Sequence, residues 1–360
     1  MGRRVAVNGR LWIRTLWIRG LGIGTLGLLA VLALAACEGA PEKVTLQGQT
    51  MGTYWRVTYL AEGAAPAPGA LEGQLKDALV AVNASMSTWD PQATISQFNK
   101  SESFTPFAIE PAFATVVAAA QAVSTASGGA FDVTVGPLID LWGFGAGGKR
   151  RVAPPSAEAI AAAQAMVGFE KLVLSADPPS LERRAPGVEV DLSALAKGYG
   201  VDVLAAVLGA AGFGNYLVDI GGEVRARGLN DRGVPWRIGV EVPDPSARGL
   251  VQEALPLKDL SLATSGDYRN FFEADGVRYS HTIDPRTGYP IPQRVASVTV
   301  AHPEALWADA WATAMNVLGP EAGLALAERQ KLPVLFILYD GEGFERRANA
   351  AFEALGTEEG

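Results

Sequence analysis

The chain has 360 residues, 49% of them hydrophobic, which is enough for a large core in one domain or two. Its net charge of −8 becomes −13 once residues 1–36, which carry five arginines and no acid, are set aside, and so acidic a protein argues against nucleic-acid binding, which calls for a basic face. A single cysteine excludes any disulfide within the chain.

Arg3, Arg4, Arg10, Arg14 and Arg19 precede an apolar run from Leu21 to Ala36 that ends in small residues. That order of basic, apolar and small is a signal peptide. The run falls short of the ~20 apolar residues that a membrane span needs. Cys37 closes the run in Leu34-Ala35-Ala36-Cys37, which resembles the bacterial lipobox, whose cysteine is lipidated and becomes the new N-terminus. Residues 1–36 are therefore expected to be a lipoprotein signal peptide and residues 37–43 a lipid-anchored tether. The expected location is the periplasmic side of a bacterial cell envelope, with Glu38 leaning toward the inner membrane.

Residues 44–353 read as one α+β domain, with 354–360 as a tail. Val44 to Leu60 alternates as one or two strands around Met51-Gly52. Leu71, Leu75, Leu79, Val82 and Met86 recur at helical spacing. Ile95–Asn99 predicts a short helix, Pro111–Ser127 a longer one ended by Gly128-Gly129, and Phe131–Val135 a strand. Gly136-Pro137 opens a turn of helix through Trp142, and residues 143–154 form a Gly/Arg/Pro loop. Ser156 caps a helix to Met166, and Lys171–Leu174 and Val188–Leu192 read as strands. A helix over Ala194–Ala211 leads to strands Tyr216–Ile220, Glu223–Gly228 and Trp236–Val242. Leu260–Ser265, Asn270–Glu273 and Arg278–Ile283 are expected to continue the sheet. Strand Ala296–Ala301, helices Leu306–Leu318 and Glu321–Gln330, and a hairpin of Val334–Leu338 with Phe344–Arg346 complete the chain.

Four patches carry chemistry. The strand–turn–helix around Asp191-Leu192-Ser193-Ala194 offers tiny side chains, free helix-start N–H groups and the cation of Lys197, a seat for phosphate or ordinary helix packing. His281 ends a strand beside Asp284 and Arg286, as a general base, a phosphate contact or a structural turn cap. Asp309 and Thr313 share one helix face among small apolar neighbours. A carboxylate with a hydroxyl suits a hard cation such as Mg²⁺; a surface Asp with a back-bonding Thr fits the same spacing. Ala130-Phe131-Asp132 after two glycines suits a nucleotide contact, although a helix C-cap accounts for the glycines equally well. Trp89 beside Asp90-Pro91 is a stacking platform or a core aromatic.

Taken in order, these patches resemble the ApbE family, the FAD:protein FMN transferases. The resemblance runs through Met51-Gly52-Thr53, Met86 to Trp89, Ile95 to Asn99, Gly128 to Asp132, Val135 to Leu138, Asp191 to Asp202, Leu217 to Gly222, Thr264 to Tyr268, Ser280 to Gly288 and Ala308 to Thr313. It implies an ApbE-type α+β fold related to tandem T-fold units. It implies FAD as substrate and Mg²⁺ as cofactor. By resemblance, Met51, Trp89, Ala130, Phe131, Asp132, Asp191, Lys197 and Ile283 would contact FAD. The Ala194 carbonyl, Asp309 and Thr313 would hold Mg²⁺, and His281 would sit near the pyrophosphate. The family often has tyrosine where Trp89 stands, so stacking should be kept and a phenol hydrogen bond lost. The implied reaction moves FMN from FAD to a threonine hydroxyl of an acceptor flavoprotein and releases AMP. Acceptors would be flavoprotein subunits of quinone reductase or Rnf-type complexes. An FAD pyrophosphatase and a non-catalytic flavin-binding lipoprotein are the alternatives.

Overall fold

The computed structural model describes residues 41–61, 68–145, 151–241, 251–266, 271–292, 294–341 and 343–357. The signal peptide, Cys37 and residues 38–40 of the tether, and the Asp267-Tyr268 part of one motif lie outside them, as do residues 146–150 of the Gly/Arg/Pro loop. No helix among the described residues is long and apolar enough to cross a membrane.

Strands β1 (Glu42–Thr50) and β2 (Thr53–Ala61) form the hairpin expected around Met51-Gly52. Helices α1 (Pro68–Met86), α2 (Thr94–Lys100) and α3 (Pro111–Ser127) follow, with the short strand β3 (Phe107–Ala108) between the last two. Gly128 adopts φ +64° and caps α3 through its N–H, a left-handed conformation that glycine adopts without steric cost. Then come α4 (Gly136–Leu141), α5 (Ala157–Gln164), β4 (Leu172–Ala176) and β5 (Pro179–Arg183). Ser156 Oγ accepts from Ala159 N at the start of α5, the predicted cap. Helix α6 (Ala196–Ala210) leads to β6 (Tyr216–Ile220), β7 (Glu223–Arg227), β8 (Trp236–Glu241), β9 (Val251–Leu257) and β10 (Leu260–Gly266). Strands β11 (Phe271–Ala274), β12 (Val277–Ser280) and β13 (Val295–His302) precede the long helix α7 (Ala305–Gln330). Gly319-Pro320 breaks α7 into the two helices the sequence predicts. Strands β14 (Val334–Tyr339) and β15 (Phe344–Ala348) form the last hairpin, and α8 (Ala350–Thr357) ends the described chain. Strand β1 starts inside the expected tether and α8 runs into the expected tail, because both carry side chains that pack on the sheet.

The main sheet has eight strands in the order β1-β2-β6-β7-β10-β13-β14-β15, antiparallel at every pairing. Its central strands are covered on both faces. Val334, Phe336 and Leu338 of β14 join the cluster that includes α3 and α7, while Leu335 and Ile337 join Phe352 of α8 and Trp236 of β8. This is the period-two division of a strand with no solvent face. Helices α1 and α6 close over β2 and β6 through Leu71, Leu75, Leu79, Leu204 and Leu208. Each such fully buried side chain contributes about 1.5–3 kcal/mol.

Three expectations are corrected. Of the expected strands Asn270–Glu273 and Arg278–Ile283, Asn270 lies outside the described residues and the rest do not continue the main sheet. Strands β11 and β12 pair only with each other, and Phe272 packs on Trp142 and Ile160 in a separate cluster. Phe131–Val135 is a turn, because Asp132 Oδ1 accepts from both Thr134 N and Thr134 Oγ1 and curls the backbone. Val188–Leu192 joins no sheet: the Asn99 side chain takes both backbone groups of Val190, and Val133 O takes Asp191 N. Apolar alternation there reflects a buried loop, with Val188, Val190 and Leu192 all inside the core.

Candidate functional site

The first turn of α6 and the first turns of α7 meet at Gly198. A Cβ there would lie 2.3 Å from Ala305 O and 2.8 Å from Asp309 Cβ, so only glycine allows this approach. Its N–H donates to Asp309 Oδ2 at 2.9 Å. One turn along α6, Asp202 accepts from Ala305 N and Leu306 N at 3.0 and 2.9 Å, capping α7, and pairs with Arg225. These contacts fix the height of Asp309 against Lys197. Asp309, Thr313 and Asn316 follow at helical spacing on one face of α7.

Lys197 Nζ lies 2.5 Å from Glu223 Oε1 and 4.0 Å from Asp309 Oδ1. Both carboxylates are nearly inaccessible, and among the described residues Glu223 Oε2 has no hydrogen-bond partner. Burial raises the Asp309 carboxyl, against the opposing pull of Lys197 and of the Gly198 N–H. Burial also raises Glu223, to about 7, with Lys197 opposing and Asp309 adding to the rise. For Lys197, burial works against the charge, but Asp309 and Glu223 outweigh it and hold the ammonium above its usual value.

This cluster forms part of the wall of a cavity of about 400 Å³. The same wall holds the expected Trp89, Ala130, Phe131, Asp132, Asp191, Ala194, His281, Ile283 and Thr313. Met51 stands apart from them, in an adjoining cleft of about 660 Å³ that shares Thr88, Trp89, Ser193 and Lys197 with the cavity. Trp89 is 73% exposed, so it is no core aromatic but a free ring at the junction of the two. Asp132 is buried and its two oxygens are engaged by Thr134 and by Phe169 N at 2.8 Å, so its charge organises the turn that presents Ala130 and Phe131. Asp191 Oδ1 accepts from Ser193 N at 2.7 Å and shapes the loop before α6. His281 follows β12 and meets the ring of Phe144 edge-on, with centroids 6.3 Å apart. Beyond it, the Asp284–Gly288 turn is tied by Gly288 N to Asp284 O at 2.8 Å and by Arg286 to the Asp284 carboxylate. His302, the other histidine, lies outside the cavity and accepts from Glu304 N.

Among the described residues no three His, Cys, Asp or Glu side chains form a metal cluster. The donors present still fit a hard divalent cation. Mg²⁺ takes one or two carboxylates and fills the remaining positions with water, neutral oxygens and substrate phosphate. Asp309 supplies the carboxylate and Thr313 a hydroxyl, whose Oγ1 lies 3.3 Å from Ser265 Oγ. Two buried carboxylates against one ammonium leave a net negative charge, and Glu223 Oε2 is unpartnered; both conditions are relieved by a cation.

The sequence reading missed Glu223, Ser265 and Asn316 as wall residues. Glu223 follows the Gly221-Gly222 turn at the head of β7, where a lone acid entering an interior strand is the only hint. Asn316 is legible as the next residue on the Asp309–Thr313 face.

The ApbE family model matches residues 51–336. The FAD:protein FMN transferase of Vibrio cholerae is 44% identical over 328 residues, which cover 91% of this chain and 97% of the relative. The flavin transferase ApbE from Vibrio cholerae superposes with a TM-score of 0.81 at 43% identity, covering 88% of this chain and 99% of that one. The apo flavinyl transferase ApbE of Pseudomonas stutzeri superposes with a TM-score of 0.81 at 39% identity, covering 88% and 97%.

Proposed function

The chain belongs to the ApbE family, and from that premise we propose that it transfers the FMN moiety of FAD to a threonine hydroxyl of an acceptor flavoprotein. The threonine oxygen bonds to the phosphorus on the FMN side, the bridging P–O bond breaks, the hydroxyl proton is lost and AMP leaves. The observation that carries this reading is the buried Asp309–Lys197–Glu223 cluster on the wall of a cavity able to take a nucleotide.

Mg²⁺, when bound, would neutralise charge on the pyrophosphate as the bond breaks. Asp309, Thr313 and the Ala194 carbonyl would hold it. Lys197 adds a fixed positive charge to the same wall. Trp89, Phe131 and Ile283 offer flat or apolar surface to the rings of FAD, with Met51 reaching them from the adjoining cleft. A general base would take the threonine proton, and its two candidates, His281 and the metal-held Asp309 carboxylate, both stand on the cavity wall. The acceptors we propose are flavoprotein subunits of quinone reductase or Rnf-type complexes. Cys37, lipidated after removal of residues 1–36, would anchor the enzyme on the periplasmic side of the inner membrane.

The test combines the protein, FAD, Mg²⁺ and a threonine-bearing acceptor domain. An acceptor heavier by one FMN, with AMP released, is the expected result. AMP with free FMN and an unmodified acceptor would make the protein a pyrophosphatase. Bound, intact FAD would make it a flavin carrier.

A further inference from the structure

Lys197 has two carboxylates within reach and does not share itself equally between them. It contacts Glu223 Oε1 at 2.5 Å and stays 4.0 Å from Asp309 Oδ1. Asp309 Oδ2 is already taken by the Gly198 N–H at 2.9 Å. Oδ1 is therefore the oxygen left to a cation. An ammonium in direct contact with Oδ1 would hold the same lone pairs and bring a like charge against the incoming ion. What keeps Lys197 off that oxygen is Glu223, which stands across the wall at the head of β7.

Glu223 is poorly explained as a stabilising element. Its carboxylate is buried, its Oε2 has no hydrogen-bond partner among the described residues, and its burial raises its proton affinity. A buried charge with half its acceptors unfilled is costly, and an apolar residue of similar volume would serve the fold at least as well. The nearby pair of Asp202 and Arg225, between the same two elements, already ties α6 to β7 and also caps α7. Glu223 is redundant as a brace and apt as a tether.

We propose that Glu223 is a positioning residue of the transfer site, which tethers Lys197 away from Asp309 and so leaves a carboxylate oxygen open to the cation. The proposal rests on the reading of Asp309 as a cation ligand. It predicts a failure that no brace would give. Without Glu223, Lys197 swings onto Asp309 and competes with the metal.

The experiment is a calorimetric titration of Mg²⁺ into the purified protein without FAD. The variants are Glu223→Gln, Glu223→Asp, Asp309→Ala and the double variant Glu223→Gln with Lys197→Met. Glu223→Gln is expected to weaken Mg²⁺ about 10- to 100-fold, the range seen when groups just outside a metal's ligands are removed. Adding Lys197→Met should recover most of that loss, since the competitor is gone. A crystal structure of cation-free Glu223→Gln should show Lys197 Nζ in hydrogen-bond contact with Asp309 Oδ1. Glu223→Asp keeps the charge with a shorter reach and should fall between wild type and Glu223→Gln; it carries the same test if Glu223→Gln does not fold. Wild-type affinity in Glu223→Gln, no recovery in the double variant, or a weakened site with Lys197 still apart from Asp309 would each overturn the tether. Wild type that binds no Mg²⁺, or Asp309→Ala that binds it normally, would instead overturn the cation reading and the tether with it.

Discussion

Gly198→Ala tests the geometry on which the site depends. In a helix interior this change ordinarily gains up to about 1 kcal/mol, since alanine is the better helix former, but Gly198 stands in the first turn, where that full gain does not apply. Here the added Cβ would lie 2.3 Å from Ala305 O, 2.7 Å from Ala305 C and 2.8 Å from Asp309 Cβ. Two of those three atoms are backbone, so no side chain can rotate away. Relief requires the start of α7 to move off α6, and the Asp202 caps on Ala305 N and Leu306 N resist it. The shift also stretches the 2.9 Å bond from Gly198 N to Asp309 Oδ2. Overpacking of this kind costs about 1–3 kcal/mol, more than the propensity gain. The melting temperature should fall by several degrees, at roughly 2–4 °C per kcal/mol for a domain of this size. Mg²⁺-dependent AMP release should fall further than stability alone explains, because Asp309 rides on the displaced turn. Thermal melts with and without Mg²⁺, alongside chromatographic assay of AMP, read both effects. A variant as stable as wild type, or more so, with unchanged turnover would refute the close approach of α6 and α7.

The other expectations follow from single side chains. Asp309→Ala should abolish Mg²⁺-dependent transfer; full activity would remove Asp309 from the cation site. His281→Ala should lower turnover while FAD still binds, measured by fluorescence, and unchanged turnover would make His281 structural. Trp89→Ala removes a ring that is 73% exposed, so stability should change by no more than about 0.5 kcal/mol. FAD affinity should drop roughly two- to tenfold as stacking is lost, and unaltered affinity would place the rings elsewhere. In cation-free protein, Glu223 is raised from 4.5 to about 7, so folding is aided below pH 4.5 and that aid is lost as pH rises through 7. Asp309, also raised, acts in the same direction. The melting temperature should therefore fall from pH 5 to 7.5 without Mg²⁺, and a flat profile would contradict the buried-carboxylate assignment.

Much of the fold was legible because its signals are local. The α1 face of Leu71, Leu75, Leu79, Val82 and Met86 is helical spacing and nothing else, and all five are buried. Strand β6 and the ends of α3 matched residue for residue, with Gly128 as the stop. What misled was apolar alternation without a neighbouring strand. Val188–Leu192 alternates like a strand, but Asn99 occupies its hydrogen bonds from 91 residues away in sequence, which no local pattern encodes. Strand β9 was missed because Pro256 and a mixed sequence hide it, and it forms by pairing with β8. In the site, Asp309 and Thr313 were legible from helix spacing, whereas Glu223 was not. Its importance comes from β7 running beside α6, a relation between segments 26 residues apart that places its carboxylate against Lys197.

Helix α6 and strand β7 meet through two ion pairs, Lys197 with Glu223 and Asp202 with Arg225, and the pairs differ in kind. Asp202 spends its oxygens on Arg225 and on two N–H groups of α7, where the helix end favours negative charge. Glu223 leaves one oxygen unfilled, and Lys197 faces a second carboxylate that it does not touch. The satisfied pair lies at the start of α7 and sets the register of that helix. The unsatisfied pair lies one turn farther along, where Asp309 and Thr313 reach the cavity. A folded protein can keep such a frustrated cluster only if its neighbours hold it in place, and the Asp202 caps and the Gly198 contact do so. Strain concentrated beside a rigid brace is the arrangement expected where a cation and a phosphate are to replace missing partners. A search for this site in other sequences should therefore weigh the pair of Asp202 with Arg225 as heavily as Asp309 itself.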